Sequence, residues 1–231
     1  MSLLSISWLS ACEPGDRRAA TASHTGTPSP QSIQLPTPRS KGTLTLEEAL
    51  SQRRSVRAFS EAPLTRDELG QLLWAAQGIT DPAGYRSTDP AGYRSAPSAG
   101  ALYPLEVYVS TQEGAYHYVP SKHRLDLHLP GDLRPALHAA ALRQDAVLDA
   151  PAVFIIAAVY ERTEKKYGKE RTPRYVHLEA GHAAQNLLLQ ATALELGAVP
   201  VGAFSDGDVK KALSLPDDQQ PLYLIPVGHP E

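Results

Sequence analysis

PSAGALYP at residues 97–104, taken together with RRSVR at 53–57, is the stretch on which the reading of this chain turns. Pro97 stiffens the entry, while Ser98, Ala99, Gly100 and Ala101 present almost no side-chain bulk. Backbone amides in such a loop can lie against a flat ring and hydrogen-bond its carbonyls, an approach that glycine makes sterically possible. The same residues also suit a tight helix start capped by Ser98, and the local sequence leaves both readings open. In RRSVR, an extended backbone places Arg53, Ser55 and Arg57 on one face, with Arg54 facing away or reaching another part of a ligand. Two guanidinium groups and a hydroxyl on one face suit a phosphate monoester, which carries about −1.5 to −2 charges. Three hydrogen bonds to charged groups, at roughly 1.5–3 kcal/mol each, are enough to hold a cofactor. Taken alone, the run reads equally as a solvated basic turn paired with Glu47 or Glu48.

A phosphate grip followed by a loop fit for a flat ring points to flavin mononucleotide (FMN). The bulk numbers are compatible with an enzyme. The 231 residues carry a net charge of −3, which offers no electrostatic footprint for nucleic acid. No apolar run reaches the roughly eighteen residues of a membrane-spanning helix. One cysteine, Cys12, excludes a disulfide framework and a cysteine-based zinc site. His177 and His182 are five apart, the wrong spacing for two ligands on one helical face. No metal is expected, and His182 is read as packing or bonding within its helix.

Residues 44–231 read as one globular domain. Capping boxes at Thr45–Glu48 and Thr65–Glu68 open two helices, the second running to about Gln77 with Gly78 as its stop. Strands are expected near Glu106–Ser110, Ala115–Val119, Val153–Tyr160, Val199–Phe204 and Leu222–Val227. Residues 174–196 form the longest helical candidate, apolar on nearly every face from Ala183 to Leu196, as for a central or partner-shared helix. Helices and strands without a regular βαβ rhythm predict an α+β fold, a sheet with helices on its faces.

Ahead of the domain, residues 13–43 are rich in Pro, Ser, Thr and Gly and read as a disordered linker. Residues 1–12 resemble a bacterial lipoprotein signal, with Leu3 to Trp8 as the apolar core and Cys12 as the lipidated residue. A chance apolar start is the alternative, since no positively charged n-region precedes it. The chain is thus either exported and anchored through Cys12 or cytoplasmic, and a membrane contact is expected only through that anchor. The octapeptide TDPAGYRS occurs at 80–87 and again at 88–95, a small duplication that a surface loop absorbs at little cost. Of its two arginines, Arg94 rather than Arg86 adjoins PSAGALYP.

RRSVRAF (53–59), LLWAAQGIT (72–80), PSAGALYPLEVYV (97–109), YHYVPSKHRL (116–125), LEAGHAAQNLLLQATALELGA (178–198), VGAF (201–204) and PLYLIPVG (221–228) resemble the nitroreductase superfamily, in its SagB/ThcOx (azoline oxidase-like) branch. The resemblance implies a three-layer α+β fold with a mainly antiparallel central sheet flanked by helices, a homodimer, and FMN at the dimer interface. It assigns Arg53, Arg54, Ser55 and Arg57 to the phosphate and ribityl chain, and Pro97, Ser98, Gly100 and Leu102 to the flavin ring. Gly202 and Ala203 match the segment whose backbone approaches the flavin N5 edge. Lys166 and Tyr167 resemble the pair implicated in substrate deprotonation, Arg162, Lys165 and Lys169 being cations that could lower the lysine's pKa. TEKKYGKERTPR, which contains the pair, reads equally as a solvated loop of mixed charge.

Two departures stand out. The chain ends at His229-Pro230-Glu231 where many nitroreductases place a basic residue on the phosphate, so His229 is the candidate substitute. It also lacks the peptide-recognition extension of large azoline oxidases. Three functions follow from the resemblance: hydride transfer between flavin and a small or peptidic substrate, NAD(P)H-dependent nitro or quinone reduction, or flavin binding without catalysis in a lipoprotein.

Overall fold

An eight-residue strand with no polar side chain fixes the middle of the molecule. β7 (Ala152–Val159) is AVFIIAAV, buried at every position. Such a strand belongs inside a sheet covered on both faces. β4 (Leu105–Thr111) pairs antiparallel along one side of it and β9 (Gln219–Gly228) along the other. Beyond β4 lie β5 (Gly114–Val119), β6 (Arg124–Pro130) and β1 (Ser32–Gln34), and beyond β9 lies β8 (Gly197–Ala198). The seven-stranded sheet has the order β1-β6-β5-β4-β7-β9-β8 with antiparallel ladders. A separate ribbon pairs β2 (Ile79–Asp81) with β3 (Tyr93–Arg94). The computed structural model describes residues 31–83 and 92–231.

Successive side chains of β7 alternate between two cores. Phe154 and Ile156 join Leu72 and Leu73 of α2 (Arg66–Gln77) and Leu187 of α6 (Thr172–Ala193). Ile155 joins Leu137 of α3 (Arg134–Ala140), Val147 of α4 (Asp145–Asp149) and Leu213 of α7 (Asp206–Leu213). The fold is therefore a three-layer α+β arrangement, with α1 (Leu46–Gln52) and α5 (Tyr160–Tyr167) completing the helices. Both expected capping boxes are formed, at Thr45 with Glu48 and at Thr65 with Glu68.

Several expectations are corrected. Residues 31–43 are not all linker. Ser32–Gln34 pairs with β6, and Leu35 is buried beneath α2, because Ile33 and Leu35 supply apolar anchors within the polar composition. The expected strand at Val199–Phe204 is reduced to a single bridge from Val201 to Leu224, just after the two-residue β8. Pro200 lacks the N–H that a ladder needs. The solvated-loop reading of TEKKYGKERTPR gives way to α5, which ends at Gly168 (φ 75°) before α6 begins with Pro173 in its first turn. Gly78 does end α2, but with φ −66° rather than in the left-handed region. Its need is space, since a Cβ there would lie 2.6 Å from Trp74 Cγ. On α6, His182 is exposed rather than packed, and Leu178 is also exposed. Cys12, linker residues 13–30 and Arg86 lie outside the described residues.

Candidate active site

RRSVR begins where α1 stops: Arg53 leaves helical geometry (φ −52°, ψ 124°) and the chain turns extended. Ser55 bridges in parallel to Ala198, and Val56 N donates to Ala198 O at 3.1 Å. Val56 packs inward so tightly over Gly197 that a Cβ on that glycine would lie 2.6 Å from Val56 Cγ1. Val56 thus anchors the run, while Ser55 and Arg57 are exposed and Arg53 is half-buried. Arg54 folds back, donating from Nη1 to Ser51 O at 2.9 Å and Arg53 O at 2.8 Å, the carbonyls at the end of α1. Among the described residues none of Arg53, Arg54 and Arg57 pairs with a carboxylate. The alternative pairing with Glu48 is not made, because that carboxylate accepts from Thr45. A guanidinium set with its charge unspent is a donor set that fits a phosphate.

Arg57 lines a cavity of about 1000 Å³ together with Arg143, Gln144, Val199 and Val201. Gln144 Nε2 donates to Ala203 O at 2.9 Å and to Ala141 O at 3.0 Å, tying Gly202–Ala203 to the wall that Arg57 faces. Gly202 and Ala203 are exposed, and a Cβ on Gly202 would meet nothing within 4 Å. Their open backbone can receive a flat ligand. Sequence reading missed Gln144, for which a lone glutamine between Arg143 and Asp145 gives no signal.

The PSAGALYP loop occupies a different place. Ser98 does not cap a helix; its Oγ accepts from Tyr103 N at 2.9 Å, closing the loop on itself. Gly100, Ala101 and Tyr103 have φ of 65°, 54° and 46°. Two non-glycine residues in the left-handed region store strain of order 1–3 kcal/mol each, a feature that clusters at functional sites. Leu102 is half-buried and Pro97 exposed. The loop is braced from behind. Arg162 Nη1 donates to Tyr103 O at 3.0 Å, and its Nη2 pairs with Glu106, which also holds His117 Nε2 at 2.6 Å. Burial opposes ionisation of Glu106, yet His117 and Arg162 together hold its carboxyl below the usual range. The Arg94 guanidinium lies 4.4 Å over the Tyr103 ring.

Lys166 and Tyr167 meet this loop. A Cβ on Gly100 would lie 2.6 Å from Lys166 Nζ and 2.9 Å from Tyr167 Oη, so only glycine leaves both groups where they are. Tyr167 packs against Tyr175 with ring centroids 4.6 Å apart. Two of the three expected neighbouring cations are spent elsewhere, Arg162 on Glu106 and Lys165 on Glu161 at 3.3 Å. His229 turns to Glu68 at 3.7 Å, not toward RRSVR.

The two groups of predicted residues sit at opposite ends of the sheet. Pro104 accepts from Val159 N at the C-terminal end of β7, whereas Ala198, to which RRSVR is bound, pairs with Val227 opposite Ala152 at the other end. Seven steps of β7 span about 23 Å. Arg57 shares its wall with Gly202–Ala203, and Gly100 shares its own with Lys166–Tyr167, but one chain does not bring the two walls together.

Sequence reading also missed Glu179. It stands three residues after Val176 and four before Ala183, on the buried stripe of α6, and is 2% exposed. A carboxylate at that spacing on an apolar face was the available signal.

Residues 50–229 match the model of the nitroreductase family. A protein of Methanocaldococcus jannaschii named "putative nitroreductase" is 45% identical over 189 residues, 79% of this chain and 90% of that protein. A crystal structure of the same description from Ralstonia eutropha superimposes with a TM-score of 0.79 at 31% identity, covering 89% of this chain and 92% of the other. An NADPH:FMN oxidoreductase of Vibrio harveyi complexed with NAD+ shares the fold alone, with a TM-score of 0.59 at 21% identity over 80% of this chain and 69% of its own.

Proposed function

Because this chain belongs to the nitroreductase family, a family of oxidoreductases, we propose that it is an FMN-dependent oxidoreductase acting on a small or peptidic substrate, in the manner of the SagB-type dehydrogenases. The observation that carries the flavin reading is that the RRSVR guanidinium groups have no carboxylate partner among the described residues, and that one of them, Arg57, lines an open cavity of about 1000 Å³. FMN, when bound, supplies the hydride chemistry. In this reading Arg53, Ser55 and Arg57 hold the phosphate, and Arg54 keeps its place as the brace of the α1 terminus. Gly202 and Ala203 offer backbone amides to the ring edge, and Pro97, Ser98, Gly100 and Leu102 form the ring-facing loop. The two walls, about 23 Å apart along β7, are complementary halves, so the functional unit is a homodimer in which each site takes one wall from each copy. The convergence of Lys166 Nζ and Tyr167 Oη on Gly100 favours the SagB-like branch: Lys166 takes a proton from substrate and Tyr167 orients it.

NAD(P)H-dependent nitro or quinone reduction is the second reading, favoured by the names of the relatives more than 30% identical. An absorbance spectrum of the purified protein, followed by denaturation and identification of the released chromophore, tests the flavin claim. Colourless protein that cannot be reconstituted with FMN would end both readings. Rapid bleaching of the flavin by NADH or NADPH would select the second; failure of both to bleach it would select the first.

A further inference from the structure

Little in the composition of α5 tells it where to lie, although it carries Lys166 and Tyr167. It is eight residues long, and Thr163 is its one fully buried residue. A helix this short does not hold itself in water, so contacts at its ends decide its place. Three of them meet at the start of the helix. Val159, the residue before α5, donates from N to Pro104 O at 2.8 Å. Arg162 Nη1 donates to Tyr103 O at 3.0 Å, and Arg162 Nη2 donates to Glu106 Oε1. The other oxygen of that carboxylate, Oε2, is engaged by His117 Nε2 at 2.6 Å, and the Glu106 side chain is only 15% exposed. One guanidinium thus ties the first turn of α5 both to the loop and to β4. Tyr103 is held on its other side by the Arg94 guanidinium, 4.4 Å over its ring. The exit of the loop is therefore fixed, and the left-handed backbone at Gly100 and Ala101 (φ 65° and 54°) forms its tip. Lys166 follows Arg162 by four residues and so shares its face of the helix, which brings Lys166 Nζ over that tip.

We propose that Arg162 is a positioning residue: by holding the Tyr103 carbonyl and the Glu106 carboxylate at once, it locks α5 to the PSAGALYP loop and sets where Lys166 stands over Gly100. This rests on the flavin reading, which sets the 97–102 loop against the ring and gives Lys166 the substrate proton. Arg162 acts through the loop and through Lys166, not on the cofactor itself. Arginine is required here for its shape as much as for its charge. Its planar fork serves two acceptors in fixed directions, whereas a lysine ammonium is a point charge on a flexible stem. A lysine at this position answers Glu106 and leaves Tyr103 O without its donor.

The test uses the full chain, FMN as ligand, and the variants Arg162→Lys and Arg162→Ala. Thermal melts establish which variants are folded, and Arg162→Lys carries the test if Arg162→Ala is not. Acetic anhydride then acylates exposed lysines with and without saturating FMN, and peptide mass spectrometry reads Lys166 against Lys165. Lys165 is the internal reference, being on the same helix and paired with Glu161 at 3.3 Å. In wild type, bound FMN should slow acylation of Lys166 and leave Lys165 unchanged. In both variants that protection of Lys166 should be lost even at saturating FMN. FMN affinity, measured by fluorescence, should fall about threefold to tenfold, the worth of the one hydrogen bond that shapes the loop. General loosening of α5 would move both lysines together, so a change confined to Lys166 separates positioning from stability. An Arg162→Lys protein that melts lower yet protects Lys166 as fully as wild type, with unchanged FMN affinity, would overturn this inference alone. Wild type that binds FMN without protecting Lys166 would remove the assignment of the loop to the ring, and this inference with it.

Discussion

Replacing Arg53 and Arg57 together by alanine tests which end of the cofactor the first wall holds. Neither arginine pairs with a carboxylate among the described residues, and the run is anchored instead by Val56 through its backbone bond to Ala198 and its packing over Gly197. The substitutions should therefore leave stability within about 0.5 kcal/mol, a shift of only a degree or two in Tm. Ligand binding should respond very differently. Two hydrogen-bonded contacts to a phosphate, at roughly 1.5–3 kcal/mol each, sum to about 3–6 kcal/mol, or about a hundredfold to ten-thousandfold in Kd. Fluorescence titration with FMN and with riboflavin separates the cause. Riboflavin keeps the ring and lacks the phosphate, so its affinity should barely change. Equal losses for both ligands would show that the arginines grip the ring or merely shape the wall. An FMN affinity within threefold of wild type would show that the phosphate binds elsewhere.

Other outcomes follow from the same geometry. Gly100→Ala should lower stability by about 1–2 kcal/mol from the left-handed backbone alone, seen in thermal melts, and should displace Lys166, so any substrate oxidation should fall further than cofactor affinity does. Gly78→Ala must push Trp74 aside, because the new Cβ would lie 2.6 Å from its Cγ; a loss of about 1–3 kcal/mol with altered tryptophan fluorescence is expected, and an unchanged Tm would contradict the packing described. Burial raises the Glu179 carboxyl from 4.5 to about 7, so the folded state holds its proton longer than the unfolded chain. Its stability contribution is complete below pH 4.5 and is lost as pH rises toward 7. Glu179→Gln should remove that slope and be more stable than wild type at alkaline pH by on the order of 2 kcal/mol; parallel melting curves would refute it. Glu106 behaves oppositely. Its carboxyl is held below 4.5, so its contribution is complete above that pH and lost as pH falls through the lowered value, and Glu106→Gln should flatten the acid limb of the Tm profile.

The parts of the fold that sequence made legible were those with strong local physics. Thr45 and Thr65 each carry a glutamate three residues on, and both boxes form because their reciprocal bonds need nothing from the rest of the chain. β7 was legible because eight apolar residues in a row have few other places to go. β1 was not, since its three residues gain their place only from the edge of β6. α5 was hidden by its charge: YERTEKKY has only Thr163 fully buried, so its helical period is written in packing against α6 and hardly in composition.

The site was legible in its residue types but not in its assembly. A run such as RRSVR announces unspent charge, and a run such as PSAGA announces close approach, yet neither says at which end of a sheet it will stand. That is decided by ladders between residues far apart in sequence, Pro104 with Val159 and Ala198 with Val227. Once those ladders are drawn, the separation of about 23 Å along β7 becomes the most demanding constraint on function. One FMN cannot touch Arg57 and Gly100 of the same chain if the ring lies against one and the phosphate against the other. Either two copies complete each site, or only one wall binds flavin and the other serves something else. Mixing the Arg53→Ala/Arg57→Ala chain with a Gly100→Trp chain decides it. If sites are shared, the mixed dimer pairs one intact set of walls and recovers FMN binding at about half the wild-type stoichiometry, where each parent alone binds poorly. If each chain binds alone, mixing recovers nothing beyond the average of the two.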